Sequence, residues 1–379
     1  MISQNQYYSY NTKELPLGCQ YCVKGEKLVL FVTGICPRTC YFCPISDLKY
    51  GNDVMYANER KVENAEDVIL EAELMNAKGA GITGGDPLSK IDRTVEFIQK
   101  LKNKFGKQFH IHLYTSLNLV NEKNLERLFL AGLDEIRFHP DLETKQLWPR
   151  IALAQKYPWH IGIEVPLIPT KKQELKELLD FVQDKVTFIN FNELERADNR
   201  MSKLGEMGFS TTGKFSYAIS GSLDLGLELL QYAQEKQYPL ACHVCTAKLK
   251  DGIQLTNRIK RESENVKRSF DVVDAEGILS RGALYLPELA PGVGYRRKLD
   301  AADKTLLLQQ LHVFLTKIQH DLHLSSEQIV LDPLKVRLLL SRQHAKQHKK
   351  YFLKQGLLPA LVKEYPTADQ FELEVEFLK

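Results

Sequence analysis

Apolar and polar positions along this chain follow two rhythms that take turns. Short, β-branched-rich runs stand at "KLVLFVT" (27–33), "GAGIT" (79–83), "FHIHLYT" (109–115), "DEIRF" (134–138), "WHIGIEVPLI" (159–168), "VTFINFN" (186–192) and "YPLACHV" (238–244), and each predicts a strand. Between them apolar residues recur every three or four positions over 64–78, 89–104, 121–131, 143–157, 170–183 and 223–237, the period of an amphipathic helix. Asn64 stands where it can cap the first of these helices. Strand then helix, repeated in this way, predicts an α/β fold: a parallel sheet with right-handed crossovers, curled into a partial (β/α)6 barrel over 27–247. Residues 1–26 form an extension before it.

The rhythm changes at about residue 248. Two strand-like runs flank Asp274-Ala275-Glu276-Gly277 as in a hairpin, a long helix follows over 301–322, another is expected within 334–355, and 360–378 reads as strand, turn, strand. Residues 248–379 therefore predict a C-terminal α+β module. Its basic runs, 258–268 and 342–354, offer contacts for phosphates, although Glu262 and Glu264 interrupt the first and suit a solvated helix face. Composition adds only bounds. With 379 residues, 44% of them hydrophobic, the chain can bury a full core. No stretch reaches the roughly 18 apolar residues of a membrane span, and "MISQNQYYSYNTKELPLG" lacks the charged-then-apolar pattern of a signal peptide, so a cytoplasmic protein without a membrane partner is expected. Lys plus Arg (51) and Asp plus Glu (48) nearly cancel, and the net charge of +3 gives no global argument for nucleic acid.

Cysteine placement changes the picture most. All seven, Cys19, Cys22, Cys36, Cys40, Cys43, Cys242 and Cys245, fall in short-spaced groups. An odd number in a cytosolic chain argues against a disulfide framework, and the close spacing argues for metal ligation. Cys36, Cys40 and Cys43 form Cys-x3-Cys-x2-Cys directly after the first strand. Three thiolates can hold three irons of a [4Fe–4S] cube and leave the fourth open, unlike the four-cysteine set of an electron carrier. Cys19-x2-Cys22 precedes the first strand and Cys242-x2-Cys245 follows the last helix, so barrel closure is expected to join them in a four-thiolate site for zinc or an auxiliary [4Fe–4S] cluster, with His243 as substitute ligand or hydrogen-bond partner. Polar residues also gather at the carboxyl ends of the strands, where ligands bind in such sheets: Gly84-Gly85-Asp86-Pro87, Tyr114-Thr115-Ser116, Arg137 and His139, Glu164, and Asn190, Asn192 and Glu193.

The three-cysteine spacing, with Phe42 just before the third cysteine, resembles the signature of the radical S-adenosylmethionine (SAM) superfamily. In that family the open iron chelates the amino and carboxylate groups of SAM, and reduction of the cluster cleaves SAM to a 5′-deoxyadenosyl radical. "GGDP" resembles the family's Gly-Gly-Glu-Pro, which implies that Gly84, Gly85 and Asp86 contact the SAM amino group, with Asp standing for Glu. "GIEVPLIP" resembles the fifth-strand segment near the adenine and implicates Glu164; by position, Thr115, Ser116 or Arg137 would reach ribose or carboxylate, and His139 would face substrate. At a finer level, from "GCQYCVKGEKLVLFVTGICP" through "CHVCTAKLKDGIQL" to "EYPTADQFELEVEF", the chain is similar to archaeal radical SAM proteins related to pyruvate formate-lyase activating enzyme. The resemblance implies an electron donor such as ferredoxin or flavodoxin and hydrogen abstraction from a substrate that is a protein, an RNA or a small molecule. The competing reading is a non-catalytic iron–sulfur or zinc protein, an electron carrier or RNA-binding module, which needs neither an open iron nor "GGDP".

Overall fold

A strand β1 (Tyr10–Asn11) and a short helix α1 (Leu17–Val23) lead into β2 (Lys27–Phe31) in the computed structural model, which describes residues 2–379. From there strand and helix alternate: α2 (Ala65–Leu74), β3 (Gly79–Thr83), α3 (Ile91–Phe105), β4 (His110–Ser116), α4 (Glu122–Ala131), β5 (Glu135–His139), β6 (His160–Leu167), α5 (Lys172–Val182), β7 (Phe188–Glu193), α6 (Ser222–Glu235) and β8 (Ala241–Cys245). The strands β2 to β8 lie side by side in chain order and all pair in parallel, with β1 antiparallel on β8 and a short hairpin on the β2 edge. The first and last strands do not pair with each other, so the sheet is a partial barrel. The crossover between β5 and β6 differs from expectation. It is a 3-10 helix, Trp148–Lys156, because Pro149 near its start lacks an N–H and Pro158 holds Tyr157 extended, at φ −113 and ψ 149.

Strand parity sorts the residues. Leu28 and Leu30, Ala80 and Ile82, Ile111 and Leu113, Ile136 and Phe138, Ile161, Ile163 and Val165, and Ile189 and Phe191 all join the core that packs against the outer helices. Their neighbours one position along point the other way, into the barrel. That inner face is polar: His110, His112, Tyr114, Glu135, Arg137, Glu164, Asn190 and His243. The helix α1 lies against this polar face, so the N-terminal residues are part of the barrel's filling. A methyl group on Gly18 would come 2.6 Å from Arg137 Nη2 and 2.9 Å from Glu135 Oε1 and His112 Nδ1, so a larger residue there would have to displace these side chains.

Two compact units make up the chain, dividing between Arg258 and Ile259. The sequence pattern set the change at 248, but Thr246 caps the turn that follows β8 and donates to Tyr8 O, tying the next residues to the first unit. In the second unit β9 (Val272–Val273) and β10 (Leu279–Tyr285) form the hairpin around Gly277. After α7 (Tyr295–Ala301) and α8 (Lys304–Leu322) come β11 (Ile329–Asp332) and β12 (Arg337–Leu340), then α9 (Arg342–Gln347), α10 (Lys349–Lys354), β13 (Leu358–Glu364) and β14 (Glu372–Phe377). All of its strand pairings are antiparallel. The helix expected across 334–355 is thus broken: Arg337–Leu340 pairs with both β10 and β11, and buried ladder contacts override the helical propensity of the leucines. Arg337 is fully buried in this sheet, held by Asp332, Glu364, Tyr285 and Gln370.

Candidate functional site

A cavity of about 390 Å³ opens at the carboxyl ends of the strands. It is lined by Cys36, Cys40 and Cys43, by Phe42, by Gly84 and Gly85, by Thr115 and Ser116, and by Glu164, so residues from four separate strand ends meet in one place. Arg38, Tyr50, Tyr114, His139 and Asn192 also line it. The cysteine loop is fastened from several sides. Arg38 N–H donates to Cys36 Sγ at 3.4 Å, Arg38 Nη1 donates to His139 O at 2.8 Å, and Phe42 packs on the His139 ring at 6.0 Å. Asn199, from the excursion between β7 and α6, donates to Cys43 O and Ile45 O. Arg38, Tyr50 and Asn199 were not picked out from sequence, and nothing near Asn199 in the chain signals its reach across 156 positions.

All three thiols are free. Burial raises the pKa of each, opposed for Cys36 by the Arg38 N–H. They stay protonated until a metal displaces the proton. Three sulfur donors on one cavity, with two glycines in the same lining and no carboxylate among the three cysteines, suit an iron–sulfur cluster with an iron left for a small chelating ligand.

Within "GGDP" the two glycines line the cavity, whereas Asp86 does not. Gly85 N–H donates to Thr33 O at 2.7 Å and Asp86 N–H to Ile35 O at 2.9 Å, stitching this turn to the start of the cysteine loop. A side chain on Gly85 would stand 2.4 Å from Ile35 O, and Gly84, at φ +156, would meet Thr33 O at 2.5 Å. The glycines permit that approach. Asp86 does not line the cavity; its carboxylate is fully buried and accepts from Thr115 Oγ (2.8 Å), Ser116 Oγ (2.6 Å), Ser116 N–H (3.0 Å) and Leu88 N–H (3.0 Å). The side chain proposed from sequence as a ligand contact is thus a tie between two strand ends. Burial pushes its pKa up against those four hydrogen bonds.

Beneath the cavity lies a buried polar network. Glu164 accepts from Arg137 Nη1 (3.1 Å), Asn190 (2.8 Å) and Asn192 (2.9 Å), while its backbone oxygen accepts from His139 Nδ1 at 2.8 Å. Arg137 does not reach the cavity wall, as sequence position had suggested; it is bound to Glu135, Tyr114, Glu164 and Cys19 Sγ. His243 donates from Nδ1 to Asn190 Oδ1, which can only accept, and its Nε2 pairs with Ser9 Oγ at 3.1 Å. Burial, with a smaller contribution from Arg137, pushes its pKa from 6.5 down to about 3. Between those pH values the unfolded state binds the extra proton, so stability falls as pH drops from 6.5 towards 3. Substituting His243→Gln is expected to flatten part of that slope, read as the urea midpoint between pH 7 and about 4.5; His139, pushed down to about 4, retains another part.

The four remaining cysteines do not form one site. Cys242 and Cys245 lie three positions apart on a strand and therefore on opposite faces: Cys242 joins the outer core with Val244, whereas Cys245 packs with Val23 and Leu249. His243 is satisfied by its neighbours and is no substitute ligand.

Three comparisons bear on this arrangement. Residues 30–146 match the model of the Radical SAM superfamily. A protein of Methanocaldococcus jannaschii, provisionally named a glycyl-radical enzyme activating enzyme, is 36% identical, with 97% of this chain and 94% of that protein covered. Among solved structures, methylornithine synthase aligns over 58% of this chain and 70% of its own at 13% identity, with a TM-score of 0.37. The radical SAM methyltransferase TsrM from Kitasatospora setae aligns at 12% identity and a TM-score of 0.33; the alignment takes in 46% of this chain and only 38% of the methyltransferase.

Proposed function

Because the chain belongs to the radical SAM superfamily, we propose that Cys36, Cys40 and Cys43 hold a [4Fe–4S] cluster with one iron free for SAM, and that the enzyme abstracts hydrogen from a protein substrate. The observation that carries the reading is the meeting of those cysteines with Gly84, Gly85, Ser116 and Glu164 on a single cavity. When bound and reduced, the cluster supplies the electron that splits SAM into methionine and a 5′-deoxyadenosyl radical. The chain's own residues do the rest. Gly84 and Gly85 bring the backbone to the ligand, and Asp86 fixes Ser116 in line with them. Glu164, held on both oxygens by Arg137, Asn190 and Asn192, presents a fixed carboxylate to the sugar or the ammonium. Phe42 and Tyr50 keep water from the reacting carbon.

A protein substrate is supported by the M. jannaschii relative's name. The reacting C–H group then arrives through the mouth on a larger molecule, with a ferredoxin- or flavodoxin-type donor supplying electrons. RNA is a second reading on one observation: residues 341–356 carry Arg342, Lys346, Lys349, Lys350 and Lys354 and no acid. The test is anaerobic. Protein reconstituted with iron and sulfide and reduced with dithionite is expected to yield 5′-deoxyadenosine from SAM, measured by chromatography. A loaded cluster that yields none, with or without a glycyl-radical enzyme or RNA added, sinks the proposal.

A further inference from the structure

The loop that carries Cys36, Cys40 and Cys43 returns to its own start. Gly34 N–H donates to Asn52 O at 2.9 Å and Gly51 N–H to Gly34 O at 3.0 Å. A side chain on Gly34 would stand 1.7 Å from Lys49 O and would have to open that closure. The next residue along the chain is Asp53, and its carboxylate reaches two ways.

On the loop side, Asp53 Oδ1 accepts from Thr33 Oγ1 at 2.9 Å, and that hydroxyl oxygen accepts from Ile35 N–H at 3.3 Å. Thr33 and Ile35 are the residues whose carbonyl oxygens hold the Gly85 and Asp86 N–H groups. On the other side Asp53 accepts from Arg93 Nη1 at 2.6 Å and Nη2 at 3.2 Å, a bidentate pair, and Lys90 Nζ lies 2.9 Å from Oδ2. Lys90 ends the 3-10 turn Pro87–Lys90 that continues from the glycines, and Arg93, in the first turn of α3, also donates to Val32 O at 3.0 Å. The contacts close a ring: Asp53, Thr33, the glycine turn, Lys90 with Arg93, and Asp53 again. The parts it joins, the cysteine loop and Gly84-Gly85, both line the cavity, whereas Asp53 does not. Arg93's hydrogen bonds, with those of Lys90 and Thr33, hold the Asp53 carboxyl well below the ordinary carboxylate range, so it stays ionised at neutral pH. The side chains of Asp53, Lys90 and Arg93 are 33%, 35% and 27% exposed, and ion pairs that open to water contribute little to global stability. Their contribution is to relative position.

We propose that Asp53 is a positioning residue: it sets the cysteine loop against the glycine turn, so that a cluster held on the loop and SAM held by the turn meet in one geometry. The inference rests on the reading that Cys36, Cys40 and Cys43 hold the cluster and that Gly84 and Gly85 approach SAM.

The test compares Asp53→Ala with Asp180→Ala. Asp180 is an exposed carboxylate that accepts from Tyr232 and Tyr238 and has no part in the cavity, so its loss matches the chemistry without the position. In metal-free protein, amide hydrogen exchange over 33–35 and 84–86 is expected to run about 10-fold faster in Asp53→Ala than in wild type or Asp180→Ala. In reconstituted protein, iron release to a chelator should quicken and SAM affinity, by calorimetry, should fall, each by about 10-fold, as for other groups that orient metal ligands. Both variants should melt within about 4 °C of wild type. Unchanged exchange in metal-free Asp53→Ala overturns the proposal, as do wild-type iron retention and SAM affinity in the loaded variant, or equal losses in Asp180→Ala. If Asp53→Ala fails to fold, Arg93→Gln frees only the helix side of the ring and should still weaken SAM binding; unchanged binding there overturns the proposal as well. Wild-type protein that takes up neither iron nor SAM would instead sink the reading beneath it, and the exchange comparison needs neither.

Discussion

Replacing Cys40 with Ala is expected to abolish 5′-deoxyadenosine formation from SAM, a loss of at least about 100-fold, since even partners that merely orient a metal ligand are worth about 10–100-fold. The physical reason is the count of donors. Cys40 is the middle member of a three-thiol wall, and no other cysteine lines the cavity to replace it. Its loop is held independently by Asn199 at Cys43 and by Arg38 at His139, so the fold should survive. The protein should melt near the wild-type temperature while losing the iron of that site. Cys242→Ala is the comparison: that residue sits in the outer core, away from the cavity, and the variant should cleave SAM at the wild-type rate with at most a modest loss of stability. Cleavage surviving in Cys40→Ala would mean that these three cysteines are not the cluster ligands.

How much of this was legible in the sequence depended on how local its cause was. The alternation of strands and helices was readable because each element carries its own period, and "GAGIT" became a strand over just those residues. Asn64 caps α2 as its position suggested, because a cap needs only the next three residues. The three-cysteine loop was readable for the same reason. The crossover over Trp148–Lys156 was misread because periodicity does not distinguish an α-helix from a 3-10 turn, although Pro149 and Pro158 were visible hints. The break at Arg337–Leu340 depended on partners in β10 that pair with it from far back in the chain, as Gly282 does with Leu340, which no local pattern encodes. The pairing of Cys-x2-Cys motifs failed for a simpler reason. A three-residue step keeps two side chains on one side of a helix, as at Cys19 and Cys22, but puts them on opposite faces of a strand, as at Cys242 and Cys245. The sequence already placed the second pair in a strand-like run, so the split could have been drawn from parity.

Asp86 separates a family motif from its local use, and its substitution should have the largest effect on stability. In Asp86→Ala the Ser116 N–H and O–H and the Leu88 N–H lose a buried acceptor, while Thr115 Oγ keeps only its contact with Ser116 O. At about 1–3 kcal/mol for each buried donor left unpaired, the loss is on the order of 4 kcal/mol. In a unit of this size, that corresponds to a fall of about 10 °C in Tm. Ser116 is also part of the cavity wall, so SAM affinity should fall with it. The more telling change is Asp86→Glu, which restores the residue that the resembled motif carries. If the carboxylate reached SAM, Glu would be tolerated or would improve binding. Here the carboxylate is fully buried between β3 and β4 with both oxygens occupied, and an extra methylene must displace Ser116 or Leu88. Overpacking of that kind costs about 1–3 kcal/mol. Asp86→Glu is therefore expected to lower the thermal midpoint and weaken SAM binding together, measured by calorimetry on the reconstituted protein. A Glu variant as stable as the wild type, with unchanged or tighter SAM binding, would return Asp86 to the ligand and remove it from the frame.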